Sequence, residues 1–357
     1  MTAKYKVMHK KRHWLQLVLI GLASFLAIVV LVPVLTTKGL PSSKSTEVPG
    51  AAEPYNTKGL PAGGEPGLTI PVYLSKDKKV QQLDLEQYVR GVVAAEMPID
   101  FELEALKAQA MAARTYIVRR LLEKDLSGVP VEGAVVTDTI THQAYVSEQE
   151  LKQRWSGAQY VANMDKLNRA VEETKDMILT YEGKPIQATF FSTSNGYTEN
   201  SEDYWGDRIP YLRSVPSPWD VKLSPRYKET ISISSKELGQ KLGLRTATPV
   251  SANQSNSLRV IGKTEGNRIK TLTVGGKTFS GREFREKLGL NSTHFQWSWK
   301  GSELQITTFG YGHGVGMSQW GANGMAKEGK KAEEIVKYFY TGIQVSSDTP
   351  LLKGKSF

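Results

Sequence analysis

The chain has 357 residues, a formal net charge of +10 and no cysteine. The missing thiol excludes a disulfide framework, thiolate zinc clusters and a cysteine nucleophile, and leaves the redox compartment open. Six of the basic residues, Lys4, Lys6, Lys10, Lys11, Arg12 and Lys38, flank one apolar run; setting them aside leaves about +4 for the rest. That balance is too small and scattered to point to nucleic acid, and no zinc-finger or RNP-type motif occurs.

Leu15 to Leu35 carry no charge and are long enough, at roughly 20 residues, to cross a bilayer as a helix. The basic flank ahead of this run predicts an N-terminus held inside and everything after it outside. A cleaved signal peptide is the competing reading, but its apolar core would span only roughly 7 to 15 residues and end in a small-x-small site. Neither feature follows Leu35. The chain therefore divides into a basic tail (1–14), a signal anchor (15–35) and a stalk (36–67). The stalk includes "PSSKSTEVPGAAEPYNTKGLPAGGEPG", which is rich in Pro, Gly and Ser and cannot bury a core.

From Leu68 to about Val345, strand-like runs alternate with helical patterns without a regular βαβ rhythm. This predicts an α+β fold, either one large mixed domain or one carrying a smaller inserted subdomain, with 346–357 as a tail. "LTIPVYL" and "KKVQQLD" read as strands, followed by a helix from Asp84, which has capping-box spacing to Gln87. Pro98 disfavours helical geometry at Met97, so the helix must stop near Glu96. A second helix is predicted from about Phe101 to Leu122, capped by Asp100, with Leu103, Leu106, Ala110, Ile117 and Leu121 on its core face. "DMILTYEGKPIQATFF" reads as two strands joined at Glu182-Gly183. "SLRVIGKTEGNRIKTLTVGGKTFS" reads as a meander, and "SGREFREKLGL" as a short helix ending at Gly289. Strands around Trp297 and Ile306 then lead into a glycine-rich loop.

Three places concentrate chemistry. In "VVAAEMPID", Glu96 falls at a helix C-terminus, where unpaired carbonyls and the negative dipole end favour the neutral acid. Ala94, Ala95 and Met97 would add desolvation in the same direction. A carboxyl still protonated near neutral pH is what a general acid needs; the bland alternative is an exposed glutamate, or one paired with Arg90 or Arg114. "FFSTSNGYTENSEDYWG" puts hydroxyls, an amide, acids and aromatics in one loop, which suits sugar recognition but equally an ordinary polar turn around Asn195-Gly196. "TTFGYGHGVGMSQWGANGMA" alternates glycine at 310, 312, 314 and 316 before a helix start near Ser318, implying positive φ or close backbone approach. It matches neither a dinucleotide fingerprint nor a phosphate-binding loop. His313 within it has two open readings, a functional one beside Glu96 or substrate and a structural one. His142, His294 and His313 are far apart and no HExxH or GxSxG occurs, so neither a zinc site nor a serine hydrolase is indicated.

Together, "LEQYVRGVVAAEMP", "EALKAQAMAARTY", "STSNGYTE" and "GYGHGVGMSQWGANGMA", in that order behind a single anchor, resemble the stage II sporulation protein D family, which includes amidase enhancers. The resemblance implies a peptidoglycan lytic transglycosylase that cleaves the β-1,4 bond between N-acetylmuramic acid and N-acetylglucosamine on strands stripped of stem peptides. It places the essential acid at Glu96. Arg114, Ser194, Tyr197, Glu199, His313 and Gln319 match motif positions expected to line the groove. No cofactor is implied. Some relatives bind zinc through cysteine and histidine, but with only His142 in the corresponding region no metal is expected here. The implied partners are the membrane, a membrane-anchored amidase (stage II sporulation protein P) and stage II sporulation protein M. The implied setting is the outer face of the sporulation septum and engulfing membrane. The alternative is a non-enzymatic glycan-binding scaffold that stimulates an amidase.

Overall fold

A computed structural model describes residues 68–244 and 258–353. The predicted basic tail, anchor and stalk lie outside the described residues. Among the described residues no helix is long and apolar enough to cross a membrane.

The fold is mixed α+β. In β1 (Thr69–Leu74) alternate residues Ile70, Val72 and Leu74 turn inward, and β2 (Lys79–Asp84) pairs with it antiparallel from Thr69↔Asp84 to Leu74↔Lys79. Asp84 closes the hairpin and caps α1 (Leu85–Glu96), its carboxylate accepting the amides of Glu86 at 2.9 Å and Gln87 at 3.3 Å. Helix α1 buries Tyr88, Val89, Val92 and Val93 and stops where Pro98 requires, with Met97 extended at φ −119°, ψ 140°.

Helix α2 (Leu103–Glu123) starts later than predicted, and Asp100 does not cap it. A turn from Phe101 N to Pro98 O takes up the intervening residues, and Glu102 sits at the N-cap without a side-chain bond. The amide of Glu102 instead donates to Asn323 Oδ1 at 2.8 Å, a partner 221 residues away that no local pattern could show. Small and apolar residues cover most of the circumference of α2, from Ala105 and Leu106 through Ala112 and Ala113 to Ile117, so it runs through the core rather than over it.

Around it pack β3 (Val136–Thr137, parallel to β1), α3 (Glu148–Arg154), α4 (Gly157–Glu172) and the hairpin β4 (Met177–Tyr181) with β5 (Lys184–Pro185). The β4–β5 turn is the predicted Glu182-Gly183 pair, with both residues at positive φ. Then follow β6 (Phe190–Phe191), α5 (Ser201–Tyr204) and α6 (Trp219–Leu223).

From β7 onward the chain builds a second core. β7 (Lys228–Ser234), α7 (Ser235–Leu242), β8 (Leu258–Lys263), β9 (Ile269–Val274), β10 (Lys277–Ser280), α8 (Gly281–Leu288), β11 (Phe295–Lys300) and β12 (Glu303–Phe309) form two three-stranded sheets, ordered β10-β9-β8 and β11-β12-β7. Leu238, Leu272, Phe279, Phe284, Leu304 and Ile306 fill the space enclosed, and the rings of Phe284 and Phe295 stack at 5.0 Å. This is an inserted subdomain.

The chain then returns to the first core. β13 (Met317–Ser318) pairs parallel with β6, α9 (Gln319–Lys327) and α10 (Ala332–Phe339) pack on α2, and β14 (Gln344–Ser347) adds to β4. The folded region thus runs past Val345, through a buried Asp348, to α11 (Thr349–Leu352).

Candidate active site

Glu96 is the last residue of α1 and is half-buried. One carboxylate oxygen accepts the Ala144 amide at 3.2 Å, the other the Gln319 side-chain amide at the long distance of 3.5 Å. Burial pushes its pKa above the usual carboxylate range, and these two hydrogen bonds oppose the shift only in part. Among the described residues no charged side chain contributes. The bland pairings fail because both arginines are engaged elsewhere. Arg90 binds Asn168 at 3.0 Å and Glu148 at 3.3 Å, while Arg114 forks onto Glu86.

The Ala144 amide reaches Glu96 because segment 144–146 crosses α1 at Gly91. A Cβ there would lie 2.7 Å from the Val146 carbonyl oxygen and would collide with the Tyr145 ring. The preceding loop is tied down by His142, whose Nδ1 accepts the Thr137 amide at 3.1 Å and whose Nε2 meets the Ser127 carbonyl at 3.0 Å. Both imidazole nitrogens are thereby occupied. Among the described residues no group of three or more His, Asp or Glu side chains is placed to hold a metal ion.

Gln319 is the first residue of α9, buried, with Ser318 at the N-cap. The glycines before it behave as their repetition predicts: Gly310, Gly312, Gly314 and Gly316 all have positive φ, and each has backbone or side chain close against it. At Gly316 a Cβ would collide with the Thr189 carbonyl oxygen, and at Gly314 one would stand 2.5 Å from the Arg268 guanidinium carbon.

Of the seven sequence-predicted site residues, the structure brings Glu96 and Gln319 into contact. Arg114 is fully buried, held by Glu86 and the carbonyls of Met177 and Val171, and so cannot line a groove. Ser194 is fully buried, its amide on Asp220 at 2.7 Å and its hydroxyl on the Ser217 carbonyl at 3.1 Å. Glu199 is 1% exposed and faces Thr264 at 2.7 Å and Arg268 at 3.6 Å, both from the inserted subdomain. Tyr197 is exposed. His313 lies among the rings of Phe191, Tyr204 and Trp205, and its Nδ1 accepts the Val315 amide. Burial, then Arg285 and Arg268, push its pKa down to about 3, so it is neutral at physiological pH and does not bond Glu96.

The polar loop after β6 therefore serves largely as the seat of the insertion. Besides Glu199, Asn195 donates to the Gly266 carbonyl at 2.8 Å and meets His294 at 2.9 Å, and Asn200 donates to Glu265 at 2.9 Å. Sequence reasoning missed Ala144, which acts through a backbone amide common to every residue, and Asp220, a buried carboxylate that joins the loop to the start of α9. The one signal for Asp220 was the pair Gly321 and Gly324 on the facing helix, where added Cβ atoms would strike α6 and the Ser217 before it.

A family model described as stage II sporulation protein matches residues 73–181. Over 335 residues the chain is 46% identical to stage II sporulation protein D of Bacillus subtilis (strain 168), covering 92% of this chain and 95% of that protein. It is 45% identical over 332 residues to stage II sporulation protein D of Bacillus amyloliquefaciens, covering 91% and 94%. It is 30% identical over 307 residues to the amidase enhancer of Bacillus subtilis (strain 168), covering 72% of this chain and 40% of that protein.

Proposed function

Since the chain belongs to the stage II sporulation protein D family, we propose that it is a peptidoglycan lytic transglycosylase in which Glu96 is the single catalytic acid and base. The observation that carries this reading is a half-exposed carboxyl with a raised pKa, free of any cation that would hold it ionised. Protonated Glu96 gives its proton to the O4 of N-acetylglucosamine as the bond from that oxygen to the muramic C1 breaks. The resulting carboxylate is stabilised by the Ala144 and Gln319 donors and takes the proton of the muramic C6 hydroxyl as that oxygen attacks C1. A 1,6-anhydro ring closes, Glu96 is protonated again, and no water is consumed. A two-carboxylate hydrolase would need a second acid roughly 5 to 9.5 Å away.

The remaining assignments follow from the same reading. The substrate is glycan strands without stem peptides, and the chain is anchored by 15–35 with the folded region outside. It acts at the sporulation septum with the membrane-anchored amidase, stage II sporulation protein P, and with stage II sporulation protein M. Tyr197, exposed beside the buried loop, is the residue of the predicted groove set most available to a sugar.

The test incubates the full chain with peptide-free glycan strands and assays anhydromuramic ends by mass spectrometry. Wild type should produce them, and Glu96→Gln should not, at unchanged melting temperature. The likeness to an amidase enhancer favours one alternative, a glycan-binding scaffold. It is the surviving reading if wild type yields no product yet stimulates an amidase.

A further inference from the structure

Asp220 is the most deeply buried acid that the proposed chemistry leaves unused. It is fully buried in α6, and among the described residues no lysine, arginine or histidine nitrogen lies within 4.0 Å of its carboxylate. An uncompensated buried carboxylate is costly, so its partners must be worth the cost. Oδ1 accepts the Ser194 amide at 2.7 Å and the Ser318 hydroxyl, and Oδ2 accepts the Ser217 hydroxyl at 2.6 Å. Ser318 is the N-cap of α9, its Oγ also accepting the Gly321 amide at 3.2 Å, so the carboxylate lies at the positive end of that helix.

The approach is close by design of the sequence. Gly321 and Gly324 lie one turn apart on the α9 face that meets α6. A Cβ on Gly321 would stand 3.0 Å from Asp220 Oδ2 and 2.9 Å from the Phe339 ring, and one on Gly324 would stand 2.8 Å from Trp219 Cδ1. The neighbouring Trp219 holds the other end of α9, donating from Nε1 to Glu328 at 2.7 Å. The segment starting at Trp219 thus clasps α9 at both ends, at Ser318 and Glu328, about 15 Å apart along its axis. Gln319, the residue that touches Glu96, directly follows the N-cap at the Asp220 end.

We propose that Asp220 is a positioning residue for the reaction: through Ser318 it fixes the first turn of α9 and so holds the Gln319 amide against Glu96. This rests on Glu96 being the acid, but its geometric content can be measured separately. Asp220 touches neither substrate nor reacting atoms in this scheme, and it acts only through Ser318 and Gln319.

The experiment follows the carboxyl of Glu96 by carbon NMR through a pH titration of the full chain, alongside product formation. Asp220→Ala should raise the titration midpoint of Glu96 as far as Gln319→Ala does, and the double variant no further. Product formation should fall about tenfold in each, the size expected for one hydrogen bond to a charged group. Asp220→Asn should restore both readouts, because an amide can still accept from Ser194 and Ser318 and donate to Ser217. Ser318→Ala removes the link to Asp220 together with the cap on the Gly321 amide, and should reproduce the Asp220→Ala titration if that variant does not fold. Trp219→Phe breaks the far clasp and should lower the melting temperature without moving the midpoint. An unchanged midpoint in folded Asp220→Ala or Ser318→Ala overturns the proposal, as does an additive double variant. If Glu96→Gln keeps full activity the acid assignment fails, while the NMR comparison still decides what Asp220 does.

Discussion

Among the described residues two glutamates have their carboxyl pKa raised by burial, and they do different work. Glu96 ends a helix at a half-open surface, with one amide at 3.2 Å, another at 3.5 Å and no cation. Glu199 lies sealed beneath the inserted subdomain, bonded to Thr264 and paired with an equally buried Arg268. In Glu199 desolvation is the larger influence and the arginine opposes it; in Glu96 there is no arginine to oppose it. A raised pKa alone therefore does not mark an acid catalyst. What distinguishes Glu96 is that it is half-exposed rather than sealed and that its charge, once formed, meets two amide donors and no cation.

Removing each carboxylate in turn should separate the two roles. Glu96→Gln should cost product formation about a thousandfold, within the range for a general acid, and leave thermal stability nearly unchanged. Glu199→Gln should do the reverse. It leaves Arg268 buried without a counter-charge, so unfolding by urea should show a loss of about 3 to 5 kcal/mol, with activity per folded molecule retained. If Glu199→Gln abolishes activity in protein that is still folded, the two sites are not separable as described.

The next largest difference concerns acid. His313 and His294 belong to the insertion seam, and burial, aided by nearby cations, depresses their pKa to about 3 and about 4. A histidine whose folded-state pKa lies below its unfolded value, about 6.5, favours the folded state above that value. The contribution is lost as pH falls toward the folded-state pKa. The unfolding midpoint should therefore drop steadily between about pH 6.5 and 4, and Gln at both positions should flatten that dependence. Glu96 has the opposite sign, since its raised pKa favours the folded state at low pH and loses effect as pH rises through it. An acid loss that persists without both histidines would assign the sensitivity to another part of the molecule.

The contrast also explains what could be read from residue order. The stop of α1 at Glu96, the Glu182-Gly183 turn, the end of α8 at Gly289 and the N-cap at Ser318 were all legible, because each is set by one or two neighbouring residues. The α2 cap was not, because its acceptor comes from Asn323. The chemistry divides in the same way. Glu96 was legible as an acid at a helix end, whereas the loop at 190–206 displays polar groups suited equally to sugar or to another part of the chain. Nothing local tells that Glu199 and Asn195 face Arg268 and Gly266. Arg114 was expected in the groove from its motif position alone, and nothing local tells that its partner is Glu86, one helix earlier.

The smallest predicted effect probes the hydrogen bond between Glu96 and Gln319, which joins the motif around Glu96 to the glycine-loop motif. The Gln319 amide stabilises the charged form of Glu96, so deleting it should move the titration of Glu96 further upward. An acid catalyst works while protonated, so activity declines as pH rises through that titration, and Gln319→Ala should carry the alkaline limb to higher pH. The maximal rate should meanwhile fall only about tenfold, because the bond is long and the Ala144 amide remains. The corresponding deletion at the other glutamate, Thr264→Ala, removes the shorter bond of 2.7 Å yet should leave the pH profile of activity where it was. A shift with Thr264→Ala but not with Gln319→Ala would reverse the roles assigned to the two carboxyls.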